Sequence, residues 1–455
     1  MENLWSEIAG KFESAFEEIE KQGKKDLKMI AALPEMLSYF KGLDSKDLLL
    51  LVDHARKIKK RNNPRVKPIN GDFYDLRSHL EPEELAILHK VEEAMLTDIQ
   101  PIVTEYWMKG EFPFQIIDTF KKLDICGLSF KGYGGKDRSH LLEGMIGEAI
   151  ARTDVSTCTF FGVHAQLAMG SIYLCGSEEQ KQEFLPRMQK LELIGAFGLT
   201  EPNVGSAASL GLETTCKREG DTWVINGEKK WIGNATFADV IILWAKDEDS
   251  GQVKGFIVDR KTEGLTTEKI EDKMALRIVQ NAIIRLKDVK VPESRRLQNA
   301  ETFKDTGAVL RMTRAGVAWQ AVGCARGAFE NTLKYTMERK QFDRPIAGFQ
   351  MVQDMLAQMQ SIVTAMQCTV SQLSELQDRG LMTDERASLA KVFCTVSCRQ
   401  VTSMARELMG GNGILISNQV ARFLGDAEAL YSYEGTKQIN SLILGRALTG
   451  WSAFV

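Results

Sequence analysis

The sequence lacks several features that would point directly to a membrane protein, a secreted protein or a metalloenzyme. No run of about 18 apolar residues occurs, so we predict no membrane span. Residues 1–20 are rich in glutamate and contain no apolar stretch, which argues against a secretory signal. The five histidines are scattered without the spacing of metal ligands, so no metal site is predicted.

The cysteines do not form a recognisable redox or metal motif. Eight are present and no two form a CxxC pair; Cys394 and Cys398 lie one helical turn apart, without a second pair of cysteines or histidines. We interpret them as reduced thiols of the core, and we therefore expect an intracellular, cytoplasmic protein.

Common nucleotide-binding and hydrolase motifs are also missing. There is no Walker loop and no Ser-His-Asp arrangement, and residues 132–135 (GYGG) do not match the GxGxxG pattern of a nicotinamide site. The formal net charge of -3 argues against nucleic acid as the main partner, because phosphate binding favours a basic surface.

The composition is that of a globular protein, with 44% hydrophobic and 26% charged residues among 455. This length suffices for about three domains of roughly 150 residues each. The pattern along the chain predicts four parts: an appended helical segment with a basic linker (1–75), an N-terminal helical domain (76–193), a middle β domain (194–300) and a C-terminal helical domain (301–455).

The appended segment has apolar residues at helical spacing, among them Trp5, Phe12 and Phe16. It ends in a basic stretch, residues 56–64 (RKIKKRNNP). Two interpretations of this stretch stay open: a solvated linker, or a surface that binds phosphate or a membrane.

The middle domain is predicted from short apolar strands without long helices between them. Residues 223–232 (WVINGEKKWI) predict two strands around an Asn226-Gly227 hairpin turn, and residues 240–244 and 255–258 predict buried strands. Strands at this spacing favour a β-barrel or sandwich.

Long helices return after residue 303. Leu389, Val392, Phe393, Val396, Met404 and Leu408 fall on one face of a predicted helix. Asp384 and Glu385 stand at its start and Gly410-Gly411 at its end, as helix termini favour.

Two polar segments punctuated by glycine are candidates for chemistry: residues 199–206 (LTEPNVGS) and 431–436 (YSYEGT). Each places a carboxylate, hydroxyl groups and a glycine beside an apolar stretch. Taken alone, either is equally typical of a turn or a helix cap, since Glu434 before Gly435-Thr436 favours a helix N-terminus.

Three further segments accompany them, at residues 231–234 (WIGN), 339–342 (RKQF) and 409–413 (MGGNG). In this order and spacing the five segments resemble the acyl-CoA dehydrogenase and oxidase superfamily, over about residues 80–450. With residues 444–450 (LGRALTG), the C-terminal pattern is most similar to glutaryl-CoA dehydrogenases and short-chain acyl-CoA oxidases.

This resemblance implies a helical N-domain, a β-barrel middle domain, a four-helix-bundle C-domain, bound FAD and a homo-oligomer, either tetramer or dimer. It assigns the isoalloxazine surroundings to one group of residues: Phe197, Leu199, Thr200, Gly205, Ser206, Trp231, Ile232 and Gly233. It assigns the rest of FAD to a second group: Arg339, Gln341, Phe342, Gln350, Glu407, Gly410, Gly411, Thr436 and Gln438. Substrate contacts are implied for Ser206, Arg314, Cys158, Tyr433 and Gly435.

The resemblance also implies a mechanism in which Glu434 abstracts the α-proton of an acyl-CoA and flavin N5 accepts the β-hydride. A base on one face and a hydride acceptor on the other are what this weakly acidic C–H requires. Three functions stay open: a dehydrogenase that passes electrons to an electron-transferring flavoprotein, an oxidase that passes them to oxygen, and a non-catalytic binding or scaffold relative.

The sequence departs from the family pattern at two places, and it also differs from glutaryl-CoA dehydrogenases at two positions. Ala207 follows Gly205-Ser206 where the family usually has Asp, and Gly233 stands where Thr or Ser is common beside flavin N5. Cys158 and Gly162 occupy the positions at which glutaryl-CoA dehydrogenases hold a distal carboxylate with Arg and Ser. Because neither can neutralise a carboxylate, we expect an uncharged acyl group, short or branched, near Cys158, Thr159 and Phe161.

Overall fold

The computed structural model describes residues 72–453. The predicted appended helix around Phe12 and Phe16 and the basic stretch at 56–64 lie outside the described residues.

The first part of the described chain is helical, and polar caps fix where its helices begin. Ser139 accepts from the Leu142 N–H, Asp154 from the Thr157 N–H, and Ser177 forms a capping box with Gln180. The helices are α1 (Pro82–Ala94), α2 (Gln100–Lys109), α3 (Ile116–Leu123), α4 (His140–Thr153), α5 (Val155–Gly162), α6 (Met169–Cys175) and α7 (Glu178–Gln189).

A π-helical segment, Val163–Ala168, joins α5 to α6 without a break. The resulting helix, Val155–Cys175, is long and apolar enough to cross a membrane by length and composition. However, 67% of its 18-residue apolar window is buried inside the protein, and a buried core helix passes the same test. We therefore interpret it as a core helix.

The middle of the chain forms a seven-stranded sheet in the order β1-β4-β2-β3-β7-β6, with β5 paired to β4. The strands of this sheet contribute a separate apolar core, which includes Trp223, Ile225 and Val289. The strands are β1 (Gly195–Gly198), β2 (Thr215–Glu219), β3 (Thr222–Ile232), β4 (Val240–Asp247), β5 (Val253–Asp259), β6 (Leu265–Lys269) and β7 (Ala282–Pro292). A short helix, α8 (Ala208–Gly211), lies between β1 and β2.

The predicted hairpin turn at Asn226-Gly227 is wrong. Residues 222–232 form one strand, β3, and the register with β7 shifts between Ile225 and Gly227, as at a β-bulge. Gly227 has φ +144°, and a Cβ there would lie 2.6 Å from the Thr214 Cα. The glycine therefore permits a close approach to the backbone just before β2 rather than a turn.

The C-terminal part is again helical and follows the predicted bundle. Helix α9 packs along α4 and α11, and it also contacts α10 and α12. The helices are α9 (Phe303–Glu338), α10 (Gln350–Asp378), α11 (Asp384–Leu408), α12 (Val420–Ser432) and α13 (Lys437–Thr449), and a small hairpin, β8 (Lys340–Gln341) and β9 (Arg344–Pro345), follows α9. The predicted helix that starts at Asp384 and ends before Gly410-Gly411 is confirmed as α11.

Candidate active site

Glu434 lies on a tight turn between α12 and α13. Its φ is +55° and that of Gly435 is +84°, so two consecutive residues adopt left-handed backbone. Such a conformation is unfavourable for glutamate and persists only where the surroundings hold it. The next residue, Thr436, caps α13 by accepting from the Ile439 N–H at 3.3 Å.

Two side chains hold this turn through the Gly435 carbonyl. The Lys391 ammonium donates to that oxygen at 2.6 Å, and the Asn440 amide donates to it at 2.8 Å. Lys391 is completely buried, and burial lowers its pKa to about 8 against the opposing attraction of Glu434. The sequence analysis missed both residues; a lone lysine among the apolar residues 389–396 was the available signal.

The Glu434 carboxylate faces α9. The Thr313 hydroxyl donates to its Oε2 at 2.6 Å. Burial raises the pKa of Glu434, and Thr313, Arg314 and Lys391 oppose that rise. The site therefore contains a carboxyl group whose pKa lies above its ordinary value, with two cations nearby.

Arg314 is the neighbouring residue on α9 and is mostly buried. Its guanidinium lies 3.5 Å from the Asp384 carboxylate, and its Nε is buried without a hydrogen-bond partner among the described residues. Burial lowers the pKa of Arg314, while Glu434 and Asp384 raise it.

Tyr433 precedes the carboxylate and points into the protein. Its hydroxyl donates to the Gln320 Oε1 at 2.5 Å, and burial raises its pKa well above the ordinary value, so the phenol stays neutral. Cys158 is buried nearby on α5, where its thiol donates to the Gly147 carbonyl at 3.4 Å. The structure thus brings the predicted residues Tyr433 and Cys158 together.

Two of the predicted flavin segments meet at the end of the sheet. The Lys230 N–H donates to the Thr200 carbonyl at 2.8 Å, which joins the loop after β1 to β3. Trp231 has φ +67° and remains 53% exposed, whereas Ile232 and Gly233 are buried. The Trp231 ring is therefore at the surface, next in sequence to the buried apolar end of β3.

Residues 201–206 are anchored by a buried ion pair that the sequence analysis missed. Glu201 lies 2.8 Å from the Lys229 ammonium, and it also accepts from the N–H groups of Glu213 and Thr214. The loop beyond Glu201 presents Gly205 and Ser206 on the surface.

Of the predicted cofactor residues not yet placed, Phe197 and Leu199 are buried, and Gln438 is exposed on α13. The others lie at exposed positions of the C-terminal helices and their connections. Within residues 72–453, no hydrogen bond or ion pair joins them to the Glu434 turn. Phe342, at the tip of the β8–β9 hairpin, is 88% exposed, and Gly410 and Gly411 have open space beside them. The exposed set is Arg339, Gln341, Phe342, Gln350, Glu407, Gly410 and Gly411.

Comparison with known proteins identifies this architecture. Three models of one family match consecutive parts of the chain: the acyl-CoA dehydrogenase N-terminal domain at residues 81–192, the middle domain at 196–289 and the C-terminal domain at 303–449. The chain belongs to the acyl-CoA dehydrogenase family.

Individual relatives agree with this assignment. The acyl-CoA dehydrogenase chain is 33% identical over 375 residues to a probable acyl-CoA dehydrogenase of Bacillus subtilis, covering 81% of this chain and 98% of that one. It is 33% identical over 362 residues to the CarC subunit of the caffeyl-CoA reductase-Etf complex of Acetobacterium woodii, covering 78% and 94%.

Among solved structures, glutaryl-CoA dehydrogenase from Mycobacterium smegmatis is similar, with a TM-score of 0.82 and 33% identity. The match covers 85% of this chain and all of that one. A structure of a glutaryl-CoA dehydrogenase from Mycobacterium smegmatis in complex with FADH2 has a TM-score of 0.81 and 32% identity, covering 84% and 98%. The described fold is thus the three-domain fold of FAD-dependent acyl-CoA dehydrogenases.

The residues present fit the FAD on which this family depends. Trp231 offers an exposed ring beside the buried Ile232 and Gly233, which suits a flat conjugated system. At the N-terminus of α13, the N–H groups of Lys437 and Gln438 donate to no described residue, and a helix N-terminus favours a pyrophosphate.

Proposed function

We propose that this acyl-CoA dehydrogenase removes the α- and β-hydrogens of an uncharged, short or branched acyl-CoA to give the 2-enoyl-CoA, with Glu434 as the base. The observation that carries the proposal is the Glu434 carboxyl itself: half-buried, raised in pKa and held against Thr313 on a turn of left-handed backbone. FAD, when bound, supplies the acceptor for the β-hydride.

The work of the protein chain is to move the α-proton. A carboxylate with a raised pKa is a stronger base, and its protonated product is the form that burial favours. Thr313 fixes the direction of the carboxylate. The charges of Arg314 and Lys391 oppose the rise in the pKa of Glu434 and so favour its ionised form.

The same turn offers a donor for the substrate carbonyl. The Glu434 N–H donates to no residue among those described, and it stands beside the carboxylate that takes the proton. A backbone N–H placed there would stabilise the enolate character of the thioester as the proton leaves.

Neutral side chains favour an uncharged acyl group. The polar partners of the Tyr433 hydroxyl include Thr159 and Gln320, and Cys158 and Gly162 stand where a carboxylate-binding pair would be needed. Burial of a distal carboxylate without a cation would cost several kcal/mol.

For the electron acceptor we propose an electron-transferring flavoprotein rather than oxygen. The Acetobacterium woodii relative is named as part of a complex with Etf. The oxidase alternative assumes that the missing side chain at Gly233 leaves space through which oxygen reaches the flavin. However, a Cβ there would already contact Val163 at 3.1 Å and Val279 at 3.6 Å, so neighbouring valines fill that space.

We further propose a homo-oligomer, a tetramer or a dimer. Leu389, Phe393 and Val396 form a stripe along α11 that is 39–47% exposed in the single chain. An apolar stripe with this exposure is typical of a face that another subunit covers. The FAD-binding site to which the exposed cofactor residues belong would then be completed by residues of a neighbouring subunit.

The test is anaerobic reduction of bound FAD by a panel of acyl-CoAs, followed by admission of air. We expect rapid bleaching by short or branched uncharged acyl-CoAs, slow bleaching by glutaryl-CoA, and slow peroxide formation with fast reduction of an artificial dye. Efficient turnover of glutaryl-CoA would contradict the proposed substrate class. Stoichiometric peroxide at turnover rates would instead establish the oxidase.

Two variants separate the acceptor question from the packing at Gly233. Gly233→Thr adds a hydroxyl but crowds Val163, whereas Gly233→Thr with Val163→Ala restores the room. If oxygen reaches the flavin past Gly233, both variants should slow the peroxide reaction. A peroxide rate that neither variant changes would leave no role for Gly233 in oxygen access.

A further inference from the structure

Gln320 is close to two other uncharged polar side chains: it contacts Tyr433 and, like Gln166, it lies against Gly162. The Tyr433 hydroxyl donates to the Gln320 Oε1 at 2.5 Å. Thr159 lies against the same hydroxyl from α5. The group is therefore assembled from three separate parts of the chain: the Glu434 turn, helix α9 and the α5–α6 helix.

The Gln320 amide has an unused donor. Its side chain is only 6% exposed, and its Nε2 donates to no described residue. That nitrogen lies over the backbone of Gly162, where a Cβ would be 3.1 Å from it. A mostly buried amide nitrogen without a protein acceptor is available to donate to a ligand or to water.

Gln166 points toward the same place from the π-helical segment. Its Oε1 would lie 2.3 Å from a Cβ at Gly316 and 3.7 Å from one at Gly162. No hydrogen bond of Gln166 to a described residue is present. Two glycines thus leave room for two carboxamides whose remaining polar atoms are unpaired.

The position of this group relative to Glu434 follows from α9. Thr313, Gly316 and Gln320 are spaced i, i+3 and i+7 and so share one helix face. Thr313 contacts the Glu434 carboxylate, and Gln320 contacts Tyr433. At 1.5 Å per residue the two contacts are about 10 Å apart along the helix. An acyl group whose α-carbon meets Glu434 would extend along this face toward the two amides.

We propose that this end of the acyl site recognises an acyl group that carries a neutral hydrogen-bonding oxygen, such as a hydroxyl, ketone or amide. Gln320 Nε2 donates to that oxygen, and the Gln166 amide provides a second contact. The proposal rests on the proposed function, because it requires the acyl group to lie beside Glu434. It adds that the preferred substrate is not a plain hydrocarbon chain.

The experiment compares three acyl-CoAs of matched chain length whose distal end is a methyl, a hydroxyl or a carboxylate group. FAD reduction is measured anaerobically, and calorimetry measures the binding of non-reducible analogues with the same three ends. We expect the hydroxyl-ended substrate to exceed the methyl-ended one in kcat/KM by about tenfold or more, and its analogue to bind more tightly.

Gln320→Leu should abolish this preference, because leucine has similar size and cannot donate. Gln182→Leu, the same change at an exposed position on α7, is the control and should keep the wild-type ratio. If Gln320→Leu also loses FAD, Gln166→Leu tests the second amide with the same ratio as readout.

The outcomes separate the two proposals. Equal or better use of the methyl-ended substrate by the wild type would overturn the inference while the proposed function stands. So would a hydroxyl-to-methyl ratio of kcat/KM that neither Gln320→Leu nor Gln166→Leu changes. Failure of every acyl-CoA to reduce bound FAD would instead remove the proposed function.

Discussion

Replacement of Glu434 by glutamine should slow catalysis while leaving the stability of the folded protein equal to or above that of wild type. Glutamine has nearly the same shape and keeps an oxygen that can accept from Thr313, so the left-handed turn has no reason to change. It cannot take a proton from the α-carbon. We expect flavin reduction to fall by at least about a hundredfold, the lower scale of acid–base contributions. That loss corresponds to about 2.7 kcal/mol of barrier.

Stability should respond with the other sign. Because burial raises the pKa of Glu434, the folded protein holds this proton more tightly than the unfolded chain does. Ionisation of Glu434 therefore costs stability once the pH rises above the ordinary glutamate range, and no cost exists below it. Glu434→Gln removes the cost, so at neutral pH it should unfold at a urea concentration equal to or above that of wild type. The difference should vanish toward acidic pH.

The measurements are stopped-flow bleaching of bound FAD under anaerobic conditions and urea unfolding across pH. Glu428→Gln is the matched control: it lies on the same helix, α12, in an exposed ion pair with Arg399 at 2.7 Å. It should leave both readouts nearly unchanged. A Glu434→Gln enzyme that keeps FAD and reduces it at close to the wild-type rate would show that the base lies elsewhere. Clear destabilisation at neutral pH would refute the reasoning about burial.

Three further predictions concern the groups around the site. Lys391→Met should shift the acid limb of flavin reduction to higher pH, since the Lys391 charge lowers the pKa of Glu434; a pH profile with an unmoved limb would contradict this coupling. Glu201→Gln should destabilise the protein by about 3–5 kcal/mol in urea unfolding, because it strands the buried Lys229 ammonium, and adding Lys229→Met should recover much of the loss. Gly227→Val should cost at least about 2 kcal/mol, since its φ of +144° and the Thr214 backbone leave no place for a side chain; an unchanged urea midpoint would show that β3 can shift.

The succession of helical, β and helical parts was predictable from the sequence because it depends on local periodicity. Helix α11 shows this: its apolar spacing, the acidic residues at its start and the glycines after its end are neighbours in the chain. Residues 222–232 show the limit. An Asn-Gly pair favours a hairpin turn locally, but pairing with both β2 and β7 keeps β3 extended and turns the glycine into a point of close approach.

The sequence by itself determined the family, through five short segments in fixed order, and it determined which glutamate to examine. Only the tertiary structure decided what surrounds that glutamate. Thr313, Lys391 and Gln320 are separated from residues 433–435 by tens of residues, and no local pattern links them. Their effect comes from burial and hydrogen bonding between distant helices, which raise a pKa or leave an amide unpaired only once the chain has folded.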